Sequence, residues 1–129
     1  MKRLFITLSI LALIIALGIF ELITVQGVLK NLEHDIQVLH ENIIASEGGD
    51  ISIYTEDISK LKKNWLKHEE FICIMFNHKD LLPITESITR ASANIKNNNY
   101  DDTIIELNLL EEYTENSAHV MDFHLNNIL

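Results

Sequence analysis

The hydrophobic positions form one long uncharged run near the start of the chain and then single residues at regular spacing. Residues 4–20 (LFITLSILALIIALGIF) contain no charged side chain. As an α-helix this run covers roughly 25 Å, close to the hydrocarbon core of about 30 Å, and the apolar residues 22–25 extend it after Glu21. The run therefore predicts a membrane-spanning helix.

Beyond this run, apolar residues recur at spacings of three and four in four successive segments, which is the pattern of amphipathic helices. The four stripes are Leu22, Val25, Leu29, Leu32, Ile36, Leu39 and Ile43; Ile51, Tyr54, Ile58, Leu61, Trp65, His68, Ile72 and Met75; Leu81, Ile84, Ile88, Ala91 and Ile95; and Ile104, Leu107, Leu110, Ala118, Met121 and Leu125. Short connections favour antiparallel neighbours. The prediction is an all-α fold, with an N-terminal transmembrane helix continuing into an antiparallel bundle of three to four helices.

Local signals predict the helix boundaries. Gly48 and Gly49 are expected to end the first helix, since glycine adopts the left-handed conformations that close helices. Asp80 is expected to cap the third helix, with Pro83 in its first turn, and Asp101 to cap the fourth.

Composition supports a helical class. Leu and Ile supply 38 of the 129 residues, whereas the chain has four glycines, one proline and one cysteine. These numbers disfavour an all-β sandwich, a disulfide scaffold and a disordered tail. We divide the chain into residues 1–21, a transmembrane signal anchor, and residues 22–129, an extracytoplasmic bundle.

The distribution of cations predicts the orientation. Lys2 and Arg3 precede the span and the next cation is Lys30, so the positive-inside rule places the N-terminus in the cytoplasm. Two alternatives remain open: secretion after cleavage of a signal peptide near residues 16–18, and a buried core helix of a cytosolic protein. We favour the anchor because the run is longer than a signal-peptide core and bulky Ile19 and Phe20 follow that site.

The segment beyond the anchor is strongly acidic. Counted from Glu21 onward, the chain carries eight of the ten Lys and Arg residues and all nineteen Asp and Glu residues, a formal charge of −11. Such a domain is repelled by nucleic acid and by anionic headgroups, so we expect no nucleic-acid partner.

Candidate chemistry is sparse. Glu115, His119 and Asp122 share one helix face and are the best candidate metal ligands, but a solvated polar face is the favoured interpretation and no cofactor is predicted. His68 is interpreted as a core or boundary histidine, with a pH sensor as the alternative, and Cys73 as a small core residue. Because the sequence has no nucleophile elbow and no phosphate-binding loop, we expect no enzyme.

Several short motifs suggest a family. They are Trp65, the turn His78-Lys79-Asp80-Leu81, the acidic helix start Tyr100-Asp101-Asp102, residues 107–110, His119 and the closing LNNIL of residues 125–129. In this order they resemble the domain of unknown function family 4363, small single-pass bacterial proteins. The resemblance implies a membrane-anchored helical fold and no assigned reaction.

Within that resemblance, Trp65, His78, His119 and Asn127 match positions of the family pattern whose role is unknown. The chain departs from the pattern at Asp80, where Glu is more usual, and at Thr103, where Ala is common.

Two functions follow as hypotheses. The first is a non-enzymatic accessory or interaction subunit that docks onto an integral membrane protein. The second is an exported helical bundle that senses a ligand or metal. A homodimer through residues 22–43 is a further possibility, which we rank below the intramolecular bundle.

Overall fold

A computed structural model describes residues 1–128, except the side chains of residues 124, 125 and 128. Four α-helices and one short 3-10 turn make up the regular structure of this part of the chain: α1 (Lys2–Ala45), the 3-10 turn (Ile51–Tyr54), α2 (Thr55–Ile72), α3 (His78–Lys96) and α4 (Tyr100–Ile128). No strand occurs in this described range. The all-α prediction is confirmed.

Helix α1 consists of two dissimilar parts. Residues 2–17 are exposed on every side. From Val25 onward one stripe is buried, consisting of Val25, Leu29, Leu32, Ile36, Leu39 and Ile43. The helix is continuous between these parts, so the apolar segment joins the bundle without a linker.

The four helices form an up-down-up-down bundle in which each helix packs against its neighbours in a closed cycle. Antiparallel pairing of α1 with α4 follows from two contacts, Gln26 with Asp122 and His40 with Glu111. Helix α4 packs along both α1 and α3 and contributes the longest interfaces. The buried side chains of all four helices form one hydrophobic core.

The predicted stripes supply this core, and the exceptions lie at their ends and flanks. The predicted stripe residues that are only partly buried are Leu22, Tyr54, His68, Met75 and Ile104. The predicted core position Leu125 lies outside the described side chains. Trp65, only 2% exposed, is the largest side chain of the core.

The connection after α1 was only partly predicted. Gly48 has φ of 81°, as expected of a helix-closing glycine, but Glu47 also has a positive φ of 50°. Residues 51–54, predicted to begin the second helix, form the separate 3-10 turn. Asp50 accepts a hydrogen bond from the Ser52 amide, and the Asn98 side chain accepts one from the Ile51 amide. These side-chain acceptors fix the turn before α2 begins.

Both predicted N-caps are wrong, since asparagines precede them. Asn77 Oδ1 accepts a hydrogen bond from the Lys79 amide and caps α3, so Asp80 and Pro83 lie inside the helix. At α4, Asn99 Oδ1 accepts from the Asp102 amide at 3.4 Å, and Asp101 lies in the first turn. Asn and Asp are about equally favourable at the N-cap position. Residue type alone therefore did not distinguish Asn77 from Asp80, or Asn99 from Asp101.

Candidate functional site

The α1–α4 interface contains a nearly buried histidine paired with a carboxylate. His40 Nδ1 lies 2.7 Å from Glu111 Oε1, and the two side chains are 10% and 32% exposed. The other ring nitrogen of His40, Nε2, is buried and has no hydrogen-bond partner in the described part of the chain. This pair, together with the hydrogen bond from Gln26 to Asp122, fixes the register of α4 on α1.

No sequence motif indicated a role for His40. A signal was present, since His40 directly follows the core residue Leu39 and Glu111 directly follows the core residue Leu110. Both residues therefore flank their stripes, where a polar side chain faces the neighbouring helix. Their pairing depends on the register of α1 against α4, which the sequence did not specify.

A second polar arrangement connects α2 and α3 around Trp65. Trp65 Nε1 donates to Thr85 Oγ1 at 2.8 Å, and Thr85 Oγ1 donates to Glu69 Oε1 at 2.8 Å. The hydroxyl thus accepts one hydrogen bond and donates another. Trp65 is a core residue of the α2–α3 contact, and it also lines a small cavity of about 160 Å³ between α1 and α2.

Arg90 connects α3 to α4. Its Nε donates to Glu106 Oε1 at 2.8 Å, and its Nη2 donates to Ser87 Oγ at 3.2 Å. The hydrogen bond to Glu106 and the nearby charges of Glu106 and Glu86 raise the pKa of Arg90, against a smaller opposing effect of desolvation. Together these contacts make a structural clamp between two helices.

A groove of about 490 Å³ separates α1 from α2. Its lining combines polar side chains, His34, Asp35, Asp57 and Lys60, with apolar ones that include Leu39 and Leu61. Lys60 also pairs with Glu56 at 2.8 Å within α2, which raises the pKa of Lys60 and lowers that of Glu56. The groove has the size and mixed lining of a small-ligand site.

The three candidate metal ligands remain on one face of α4. Glu115 and His119 are exposed, while Asp122 is half-buried and accepts the hydrogen bond from Gln26. Among the described residues, no group of three or more His, Cys, Asp or Glu side chains is placed to hold a metal ion.

The four family-pattern positions are scattered over the fold. Trp65 is in the core, and His78 is exposed in the turn before α3, with its Nδ1 3.4 Å from Cys73 Sγ. His119 is exposed on α4, and Asn127 donates to the carbonyl of Phe123 at 3.0 Å. Trp65, His78 and Asn127 thus each contact a different partner.

The remaining two single residues lie at the edge of the core. His68 is half-buried, and its Nδ1 is 2.9 Å from the carbonyl oxygen of Asn64. Cys73 is half-buried, and desolvation, with smaller effects of Glu69 and Glu70, raises the pKa of its thiol. Cys73 was predicted as a core residue, but it packs against the core from outside.

Helix α1 alone among the described helices is long and apolar enough to cross a membrane, and a signal sequence meets the same criteria. The apolar window is not buried by the rest of the chain. This exposure argues against a core helix of this chain.

Comparison with known proteins gives one finding. The chain matches no curated protein and no solved structure. The family model described as "Domain of unknown function (DUF4363)" matches residues 20–128, which is the whole bundle. The predicted resemblance is confirmed, and the chain belongs to the DUF4363 family.

Proposed function

We propose that this protein is a membrane-anchored, non-enzymatic interaction subunit of a membrane protein complex. Residues 4–20 cross the membrane with the N-terminus in the cytoplasm, and the acidic bundle lies outside. The observation that carries the proposal is the continuity of α1, in which an exposed apolar segment extends directly into a packed bundle helix. Such a rigid helix couples any contact made in the membrane to the bundle.

Burial in the bundle narrows the surfaces available to a partner. The α1 stripe from Val25 to Ile43 is covered by the other helices of the same chain. A homodimer through residues 22–43 would therefore use the other faces of α1. Within the span, by contrast, large apolar side chains are exposed on all sides of the helix and are free to contact a partner. Leu13 and Ile14, for example, are each 60% exposed.

Photo-crosslinking in the native membrane tests this proposal. A photoreactive amino acid replaces one residue at a time from Ile10 to Leu17 in the full-length protein. We expect crosslinks to one integral membrane protein that recur every three or four residues, because only one helix face contacts a partner. The same complex should persist after mild detergent extraction.

The outcome that contradicts the proposal is equally direct. A monodisperse monomer after mild extraction, with no crosslinked protein at any of these positions, would exclude a role as an interaction subunit. A mature protein that begins at or beyond Ile19 by mass spectrometry excludes the anchor and supports secretion instead.

The groove between α1 and α2 favours a second candidate function, the sensing of a small polar ligand outside the membrane. Its charged residues Asp35, Asp57 and Lys60 would select the ligand. A ligand that binds only the folded state raises the melting temperature of the full-length protein in detergent. We expect Lys60→Ala to abolish such a shift for a groove ligand, and Glu115→Ala on α4, which does not line the groove, to leave it unchanged. No shift with any compound would exclude this candidate.

A further inference from the structure

The turn between α2 and α3 lies at the level where α1 leaves the apolar segment. Helix α2 runs antiparallel to α1, since Tyr54 Oη donates to the carbonyl of Asn42 and His68 lines the same small cavity as Val28. Ile74, six residues beyond His68, is therefore about level with Ile23. The base of the bundle thus includes the turn at residues 73–77.

Helix α4 reaches the same level. Asp122 lies opposite Gln26, and the six described residues after Asp122 descend about 9 Å at the rise of an α-helix. The described end of α4 is thus near the level of Phe20. Two chain segments, the α2–α3 turn and the end of α4, flank α1 here.

The length of the apolar segment places this level at the bilayer surface. A hydrocarbon core of about 30 Å takes about 20 helical residues. Twenty residues counted from Leu4 end at Ile23, shortly after Phe20, which is the last residue of the uncharged run. On the proposed anchoring, the bundle has no stalk that would hold it above the lipid.

Large apolar side chains are exposed at this level. Ile23 is 54% exposed, Ile74 is 79% exposed, and Phe123 is 66% exposed. Ile74 lies in a turn, where it belongs to no helical stripe. The exposed charged residues near this level are Glu21, Glu70, Lys79 and Asp80, three acids and one base. Apolar contact rather than charge therefore attracts this surface to lipid.

We infer that the base of the bundle, formed by Ile23, Ile74 and Phe123, lies in the interfacial layer of the bilayer and contacts lipid. The inference rests on the proposed membrane anchor. Lipid contact at two points beside α1 would fix the tilt of the bundle, which a single helix leaves unspecified.

Spin-label accessibility tests this contact. The full-length protein with Cys73→Ser carries a nitroxide at Ile74→Cys and is reconstituted at low density in phosphatidylcholine vesicles. The matched control is Ile53→Cys, because Ile53 is 67% exposed in the 3-10 turn at the opposite end of the bundle. A third label, at Ile14→Cys, reports on the anchor itself.

We expect the label at position 74 to collide with oxygen in preference to a polar nickel chelate, and the label at position 53 to show the reverse. The two accessibility ratios should differ by roughly tenfold, because the apolar layer excludes the chelate. Equal ratios at positions 74 and 53 would overturn the inference. Dipolar broadening at position 74 would assign this surface to a second copy and also overturn it.

The label at position 14 separates the two proposals. If it is shielded from the chelate while position 74 is not, the anchor stands and lipid contact at the base is wrong. If position 14 is also open to the chelate, the membrane anchor itself fails. Circular dichroism of each labelled variant confirms that the helices are intact.

Discussion

At the scale of single residues, a hydrogen bond between two helices stabilises the fold only while both of its partners are present. Thr85 is the clearest case, since its hydroxyl accepts from Trp65 and donates to Glu69. Removing it leaves the indole N–H of a core tryptophan without its acceptor. The cost of such a deletion is larger than the net contribution of the hydrogen bond itself.

We therefore expect Thr85→Val to lower the free energy of unfolding by roughly 1–3 kcal/mol. Urea denaturation of the full-length protein in detergent, followed by far-UV circular dichroism, measures this change. Thr89→Val is the matched control, because Thr89 is exposed and bonds only to the Thr85 carbonyl. Equal losses in the two variants would show that the Trp65–Thr85 contact contributes nothing specific.

Cys73 gives a prediction about reactivity. Desolvation, with smaller effects of Glu69 and Glu70, raises the pKa of this thiol from an ordinary value of 9.0. The thiolate, which is the reactive form, is therefore scarcer at neutral pH than in an unfolded chain. The rate of alkylation by iodoacetamide should rise to half its maximum only above pH 9.0.

The unfolded protein in urea is the control for Cys73, and its alkylation should reach the half-maximal rate at a lower pH. A folded protein that alkylates faster than the unfolded chain at pH 7 would contradict the assigned environment of the thiol.

At the scale of helices, the periodic spacing of apolar residues was sufficient to predict which faces are buried. The α1 stripe from Val25 to Ile43 is confirmed residue by residue because a repeat of 3.6 residues admits one apolar face. Helix starts were predicted less well. Asn77 and Asp80 are both good caps, and the choice depends on how the turn before α3 closes against the core.

The stripe on α1 gives a prediction with an internal control. Ile36→Ala removes a side chain with no exposed surface and should cost roughly 2–5 kcal/mol of stability. Val38→Ala lies two residues away on the same helix, where Val38 is 44% exposed, and should change stability by less than about 0.5 kcal/mol. Similar costs for the two variants would mean that α1 does not pack in the bundle as described.

At the scale of the whole molecule, α1 has two parts: an exposed apolar segment, for which a membrane is proposed, and a stripe from Val25 to Ile43 that is buried in the bundle. The sequence predicted both parts, because a run without charges and a stripe with period 3.6 are separate signals. It did not predict the polar contacts His40–Glu111 and Gln26–Asp122, because these depend on how α4 aligns with α1. Candidate functional residues were therefore harder to predict than the fold.

On the proposed anchoring, α1 holds the acidic bundle on the outer side of the membrane. Labelling of Ile53→Cys, in a Cys73→Ser background, by a membrane-impermeant maleimide in intact cells tests this topology. Ile53 is suitable because it is 67% exposed at the end of the bundle farthest from the span. We predict that intact cells give full labelling of a full-length protein that remains in the membrane fraction. Labelling that appears only after the cells are lysed would contradict the account.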